Sequence, residues 1–253
     1  MVVGDLTPAR SADSQAALGT LPGISRHVHP EAAHMDRTPR HLRTWLLAMA
    51  AATAGFLALT AVVVARVAVV ERFDNGVSST ARQFAAGHVR WRTLMSFVTH
   101  TGDSGVLVSL ALLTFIVLAW RQQWQAALLV VAAPAASVAI RVTVLHLVAR
   151  ERPVDRLTAI SGWSFPSGHT TSSGVAAGVA ILLVLAYVRR EPLRTALIVT
   201  AAGWAVLVGV SRVALLAHWP TDVLAGWFLA TAVTTAFAAG RTGAAKQPQQ
   251  PAS

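Results

Sequence analysis

The chain has 253 residues, of which 54% are hydrophobic and only 13% charged. A soluble domain carries about 25% charged residues, so this composition, with a mean hydropathy of +0.55, excludes a water-soluble globule and indicates a small helical membrane bundle. There is no cysteine, which excludes disulfides and thiolate chemistry, and the net charge of +10 is arginine dispersed over tails and short loops, with Lys246 the one lysine, not the basic stripe of a nucleic-acid-binding surface.

Residues 1–43 are polar, rich in Pro, Ala, Arg and His, and have no sustained period. They predict a disordered cytoplasmic tail, and no apolar core near Met1 suggests a cleavable signal peptide. His27, His29, His34 and His41, with Glu31 and Asp36 close by, fit no familiar metal-ligand spacing and read as scattered tail histidines. No metal and no cofactor are expected.

The first long apolar run covers residues 45–70, preceded by Arg37, Arg40 and Arg43. About 20 helical residues cross the hydrocarbon core, so this run is long enough. Residues 71–104 are mixed, and Phe84, Trp91, Leu94, Met95 and Val98 fall near one helical face, the pattern of a helix lying in the interface. Gly102-Asp103-Ser104 then marks a turn and a helix start.

Apolar runs at 105–120, 125–148, 170–188, 193–210 and 220–239 follow. The fold expected is all-α, a six-span transmembrane helical bundle with an interfacial helix between spans one and two. The membrane domain would cover 44–240 and a second disordered cytoplasmic tail 241–253. Arg37, Arg40 and Arg43, then Arg121, then Arg189, Arg190 and Arg194, then Arg241 and Lys246 fall on one side, which the positive-inside rule assigns to the cytoplasm. Both termini are then cytoplasmic.

Three short islands carry chemistry: Arg152-Pro153, Pro166-Ser167-Gly168-His169, and Ser211-Arg212 followed by His218 and Asp222. On the six spans all three fall at the extracytoplasmic side. Ser167 is a natural N-cap, and the free N–H groups of the helix it opens, with the helix dipole, form an anion site. Gly168 admits a phosphate oxygen close to the backbone, and His169 in the first turn is placed to donate a proton. An ordinary capped helix containing a histidine gives the same local pattern.

His218 and Asp222 are four apart, so they share a face if the helix extends back to His218. The carboxylate could then fix one imidazole tautomer and leave the other nitrogen to attack; a simple helix-start hydrogen bond is the plainer reading. Arg152 and Arg212 offer planar forks for phosphate oxygens. Arg150 and Arg156 are nearby alternatives, with loop solvation the plain reading for Arg156.

Order and spacing together resemble the type 2 phosphatidic acid phosphatase superfamily, the membrane lipid phosphatases related to vanadium-dependent haloperoxidases. Its signature is Lys-x6-Arg-Pro, then Pro-Ser-Gly-His, then Ser-Arg-x5-His-x3-Asp. The second and third parts match in full, and the first retains Arg152-Pro153. The resemblance spans roughly residues 45–240. It implies an integral membrane, metal-independent phosphatase acting on a lipid phosphate or diphosphate of the phosphatidate, phosphatidylglycerophosphate or isoprenyl diphosphate type. By it His218 is the nucleophile that forms a phosphohistidine, Asp222 orients His218, and His169 protonates the leaving oxygen. Arg152, Ser167, Gly168 and Arg212 hold the phosphate. The setting it implies is the cytoplasmic membrane, with the site facing outward and a lipid phosphate and the bilayer as partners.

The signature lysine falls at Leu145. Arg141, one turn back on the same face, and the adjacent His146 are the candidate substitute cations, and loss of such a donor costs on the order of a hundredfold in rate. A lipid phosphotransferase using the same site, a vanadate-dependent haloperoxidase, and a degenerate, non-catalytic member are the alternatives.

Overall fold

A computed structural model describes residues 40–244, and within them the chain is helical apart from its connections, the longest of which covers residues 149–167. The helices are α1 (Arg40–Val64), α2 (Ala68–Gly87), α3 (Val89–His100), α4 (Ser104–Trp120), α5 (Trp124–Val148), α6 (Gly168–Tyr187), α7 (Glu191–Ala214) and α8 (Pro220–Ala244). The tails expected at 1–43 and 241–253 lie outside the described residues except at their inner ends. There helix replaces the expected disorder, from Arg40 at one end and up to Ala244 at the other.

Among the described residues six segments are long and apolar enough to cross a membrane: Arg40–Val64, Val89–Trp120, Trp124–Val148, Gly168–Tyr187, Glu191–Ala214 and Pro220–Thr242. The chain is a multi-pass membrane protein, as its composition indicated. In hydrocarbon every backbone polar group must be satisfied within the protein, which leaves helices as the solution for apolar runs of this length. Helix α4 is the extreme case. It is apolar nearly all round and none of its residues is fully buried, Ala111 and Leu118 being partly covered by the core, as suits a helix at the lipid boundary.

The stretch expected as one interfacial helix is two helices, α2 and α3, and α3 runs with α4 into a single candidate span, Val89–Trp120. Helices α2 and α3 break at Gly87-His88, where His88 adopts φ −130° and ψ 79°, consistent with the poor helix propensity of glycine. Of the five residues assigned to one apolar face, Met95 is buried, and Trp91 and Val98 pack with it against Ala214 and Leu215 at the end of α7. Phe84 and Leu94 are exposed. The short span at 105–120 is α4, separated from α3 only by the Thr101–Asp103 turn.

The core joins α1, α5, α6 and α8 around Phe56, Val130, Phe165, Val175, Leu229 and Val233. Helices α6 and α8 approach closely along a seam of small residues, as membrane helices that pack by van der Waals contact do. A Cβ on Gly178 would come within 2.5 Å of Thr234 Cγ2. At the end of the same seam a Cβ on Gly226 would lie 2.9 Å from Thr170 Cβ and 3.2 Å from Ser167 O. The seam thus sets the first turn of α6 against the first turns of α8, where two of the sequence islands lie.

Candidate active site

The third island is shaped by the junction between α7 and α8. Helix α7 ends at Ala214, and Leu216 then turns through φ 54°, so that Ala217 and His218 fold back with both N–H groups bonded to Arg212 O, at 2.9 and 3.3 Å. Helix α8 begins at Pro220, the first-turn position proline favours. His218 therefore lies outside the helix, contrary to the shared helical face considered from spacing. Asp222 reaches it by a different route. Its Oδ2 turns back to accept the Trp219 backbone N–H at 2.9 Å, which brings the same oxygen to 3.4 Å from His218 Nδ1. At that separation the pair is in electrostatic contact, not hydrogen-bonded.

His218 Nε2 accepts a hydrogen bond from Arg152 Nη1 at 2.9 Å. Because a guanidinium only donates, Nε2 bears a lone pair, and the neutral ring has its proton on Nδ1, facing Asp222. Burial pushes the His218 imidazole down to about 4, Asp222 opposing the shift and Arg152 and Arg212 adding to it. At neutral pH the ring is thus an unprotonated base. Arg152 is fixed by three carbonyls as well, donating to Gly162 O at 2.9 Å, Ala217 O at 2.7 Å and Trp163 O at 2.7 Å. Burial also holds its guanidinium below the ordinary arginine range, with Asp222 pulling the other way.

The second island occupies the start of α6. Ser167 takes the N-cap position with φ −62° and ψ 121°, but its side chain makes no capping bond. It is fully buried, and its Oγ accepts the Thr170 hydroxyl at 2.9 Å. His169 Nε2 donates to Asp103 Oδ1 at 2.8 Å, and Asp103 Oδ2 accepts from His100 Nδ1 at 2.8 Å. Asp103, in the turn that opens α4, therefore joins two histidines.

These elements enclose a cavity of about 370 Å³ whose lining includes Arg152, Gly168, His169 and His218. Asp222 lies behind His218. Ser167 and Arg212 are buried, Arg212 donating to Thr99 Oγ1 at 2.6 Å while its Nε is buried without a partner. Two further residues of the lining are Leu145 and Arg141. The Arg141 guanidinium lies over the start of α6, with Nη1 3.4 Å from where a Cβ on Gly168 would be. His146 is exposed and takes no part in this lining. Arg156 is exposed in its loop, as expected.

Arg150, the nearby alternative, does not line this cavity. It faces the back of Asp222, donating through Nη1 to Asp222 Oδ1 and Thr221 Oγ1, each at 2.7 Å, and through Nη2 to Asp74 Oδ2 at 2.6 Å. Asp74, Asp103 and the role of Arg150 were not legible from the sequence. The one local signal was that Gly102-Asp103-Ser104 reads as a helix start.

Residues 146–244 match the family model of the PAP2 superfamily. That segment carries the second and third sequence islands, so the likeness to the superfamily lies where the candidate site lies. The match begins one residue past Leu145, where the signature lysine is missing. Over 80% of this chain and 98% of the other, the fold is similar to the crystal structure of a transmembrane PAP2 type phosphatidylglycerolphosphate phosphatase from Bacillus subtilis, with 25% identity and a TM-score of 0.70. LpxE of Aquifex aeolicus is also similar, at 20% identity over 60% of this chain and 87% of that one, with a TM-score of 0.48. No curated protein matches the chain significantly. The all-helical architecture is thus that of a PAP2-type membrane phosphatase.

Proposed function

We propose that the protein hydrolyses a lipid phosphate or diphosphate through a phosphohistidine on His218. The observation that carries this reading is the lone pair of His218 Nε2 in the cavity it shares with Arg152, Gly168 and His169. In the first step Nε2 attacks phosphorus, the bond from phosphorus to the lipid oxygen breaks, and His169 gives its proton to that oxygen. In the second, water attacks the phosphohistidine, His169 takes a proton from the water, and inorganic phosphate leaves with Nε2 regenerated. Asp222 stabilises the Nδ1–H tautomer throughout.

Arg152, Arg212, Ser167 and the amide at Gly168 would surround the phosphate oxygens. Arg212 Nε, a buried donor without a partner, would gain an acceptor when the anion binds, which removes the cost of leaving it unsatisfied. Arg141 takes the part of the missing lysine: its guanidinium reaches the cavity from one turn below Leu145. The resulting arginine lining offsets the phosphoryl charge that a divalent metal offsets in other phosphatases, so no metal is needed.

A lipid is favoured as substrate because an apolar cavity of about 430 Å³ between α4, α5, α6 and α7 shares Ser104, Val138 and Ser172 with the lining of the catalytic cavity. A phosphate seated at His218 leaves its tail next to that apolar space. The relative from Bacillus subtilis acts on phosphatidylglycerolphosphate, a substrate of the same class. The distribution of basic connections supports a catalytic end that faces outward from the cytoplasmic membrane.

Purified protein in detergent is expected to release inorganic phosphate from phosphatidate or an isoprenyl diphosphate in the presence of a metal chelator. Vanadate should inhibit, and His218→Ala should abolish turnover. Full activity of His218→Ala would overturn the assignment.

A further inference from the structure

The carboxylate that orients His218 is itself held from both sides. Asp222 Oδ2 accepts the Trp219 N–H, and Oδ1 accepts Arg150 Nη1 at 2.7 Å. Arg150 in turn lies between two buried carboxylates, because its Nη2 donates to Asp74 Oδ2 at 2.6 Å. Asp74 belongs to α2, is 1% exposed, and does more than neutralise Arg150. Its Oδ1 accepts the backbone N–H of Thr221 at 3.0 Å and its Oδ2 the Thr221 hydroxyl at 2.6 Å. Thr221 is in the first turn of α8, where backbone donors have no helical partner. An acidic side chain from α2 thus caps, across 147 residues of sequence, the helix whose first turn carries Asp222.

We infer that Asp74 and Arg150 are positioning residues for the nucleophile, α2 fixing through them the carboxylate that orients His218. The inference rests on the reading of His218 as nucleophile. Its physical ground is what happens when phosphate arrives. In the structure His218 is steered at both ring nitrogens, by Arg152 at Nε2 and by Asp222 at Nδ1. Nε2 must give up the Arg152 bond to attack, and the ring is then directed by Asp222 alone. A carboxylate free to rotate would let the imidazole turn away, whereas one bonded at each oxygen keeps it aimed.

The charged groups facing His218 are Asp222 from α8, Arg152 from the loop after α5 and Arg212 from α7, with His169 and Arg141 in the same cavity lining. Arg150 acts on His218 through Asp222. A purely structural latch is the competing account, and the two differ in what they do to His218.

The test uses the full chain in detergent, with Asp74→Asn, Arg150→Met and, as control, Arg82→Ala. Arg82 is on the same helix and makes an exposed ion pair with Asp155. Two readouts are taken: kcat and KM with phosphatidate, and the titration of His218 by NMR in histidine-labelled protein. Asp74→Asn is expected to lower kcat roughly tenfold or more with KM little changed, since the residue does not touch substrate. Arg150→Met is expected to raise the His218 titration midpoint by about one unit, because removing a cation beside Asp222 favours the imidazolium. Arg82→Ala should match the wild type in both.

If Arg150→Met does not fold, Asp74→Asn decides, because asparagine retains an acceptor for the Thr221 N–H. Folded variants with a wild-type kcat and a wild-type His218 titration would overturn the inference, and lowered melting temperature alone counts as that result. The titration needs no turnover. Full activity in His218→Ala would instead defeat the phosphatase mechanism, so the two failures are distinguishable.

Discussion

Arg152 Nη1 donates to His218 Nε2 across 2.9 Å while its other donors grip the carbonyls of Gly162, Trp163 and Ala217. One guanidinium therefore organises the loop after α5 and sits against the nitrogen proposed as nucleophile. Arg152→Ala should lower kcat/KM by at least about a hundredfold. Arg152→Lys should remain severely impaired, since a point charge cannot reproduce a planar fork with four acceptors. Phosphate-release kinetics check both, and near-wild-type turnover in Arg152→Lys would show that charge alone suffices.

The His218 ring gives a pH dependence of stability with a definite sign. Burial sets it at about 4 in the folded protein against 6.5 for an ordinary histidine. Between these values the unfolded chain binds the proton that the folded chain refuses, so acid favours unfolding. This contribution is fully present above 6.5 and is lost progressively as pH falls towards about 4. The melting temperature of the wild type should therefore fall more steeply over that window than that of His218→Gln. Parallel curves for the two proteins would contradict a buried neutral His218.

Arg141 and Leu145 make a paired prediction. With Arg141 supplying the cation, Arg141→Ala should cost roughly a hundredfold in kcat. Leu145→Lys should change the otherwise unaltered protein little, yet recover much of the loss when combined with Arg141→Ala. A large gain from Leu145→Lys alone would instead mean that the cavity lacks a working cation.

Asp103 bonds His169 on one side and His100 on the other. Asp103→Asn keeps the shape and removes the charge that stabilises a protonated His169. Turnover should fall by roughly ten- to a hundredfold. The loss should be greatest for substrates with poor leaving groups and small for an activated aryl phosphate, whose departing oxygen needs no proton. An equal loss for both substrates would remove Asp103 from the proton-donating step.

The seam between α6 and α8 is tested by Gly226→Ala. Its Cβ would press on Thr170 Cβ at 2.9 Å and Ser167 O at 3.2 Å, contacts that only a shift of the helices can relieve. Overpacking of this kind costs about 1–3 kcal/mol. Thermal melts in detergent should show the loss, and activity should fall with it because the seam aligns two islands of the site.

The sequence by itself determined whatever depends on near neighbours along the chain. Apolar run length determined six spans, because a helix must satisfy its own backbone in lipid. Gly168-His169 and Pro220 were legible as helix starts, since caps are written in a few adjacent residues. His218 and Asp222 were legible as a pair, though their contact comes from a capping carboxylate and not from a helical face. The Gly87-His88 break was missed because it interrupts a weak, mixed pattern.

Tertiary structure alone decided which charges meet. Asp74 bonds Thr221 at a separation of 147 residues, Arg150 bonds Asp222 at 72, and Asp103 bonds His169 at 66. No local period or cap encodes such partners. The choice between Arg141 and His146 was equally closed to sequence, as both lie within a turn of Leu145. That Arg141 and not His146 lines the cavity follows from which side of α5 faces α6, and only the packed bundle fixes that rotation.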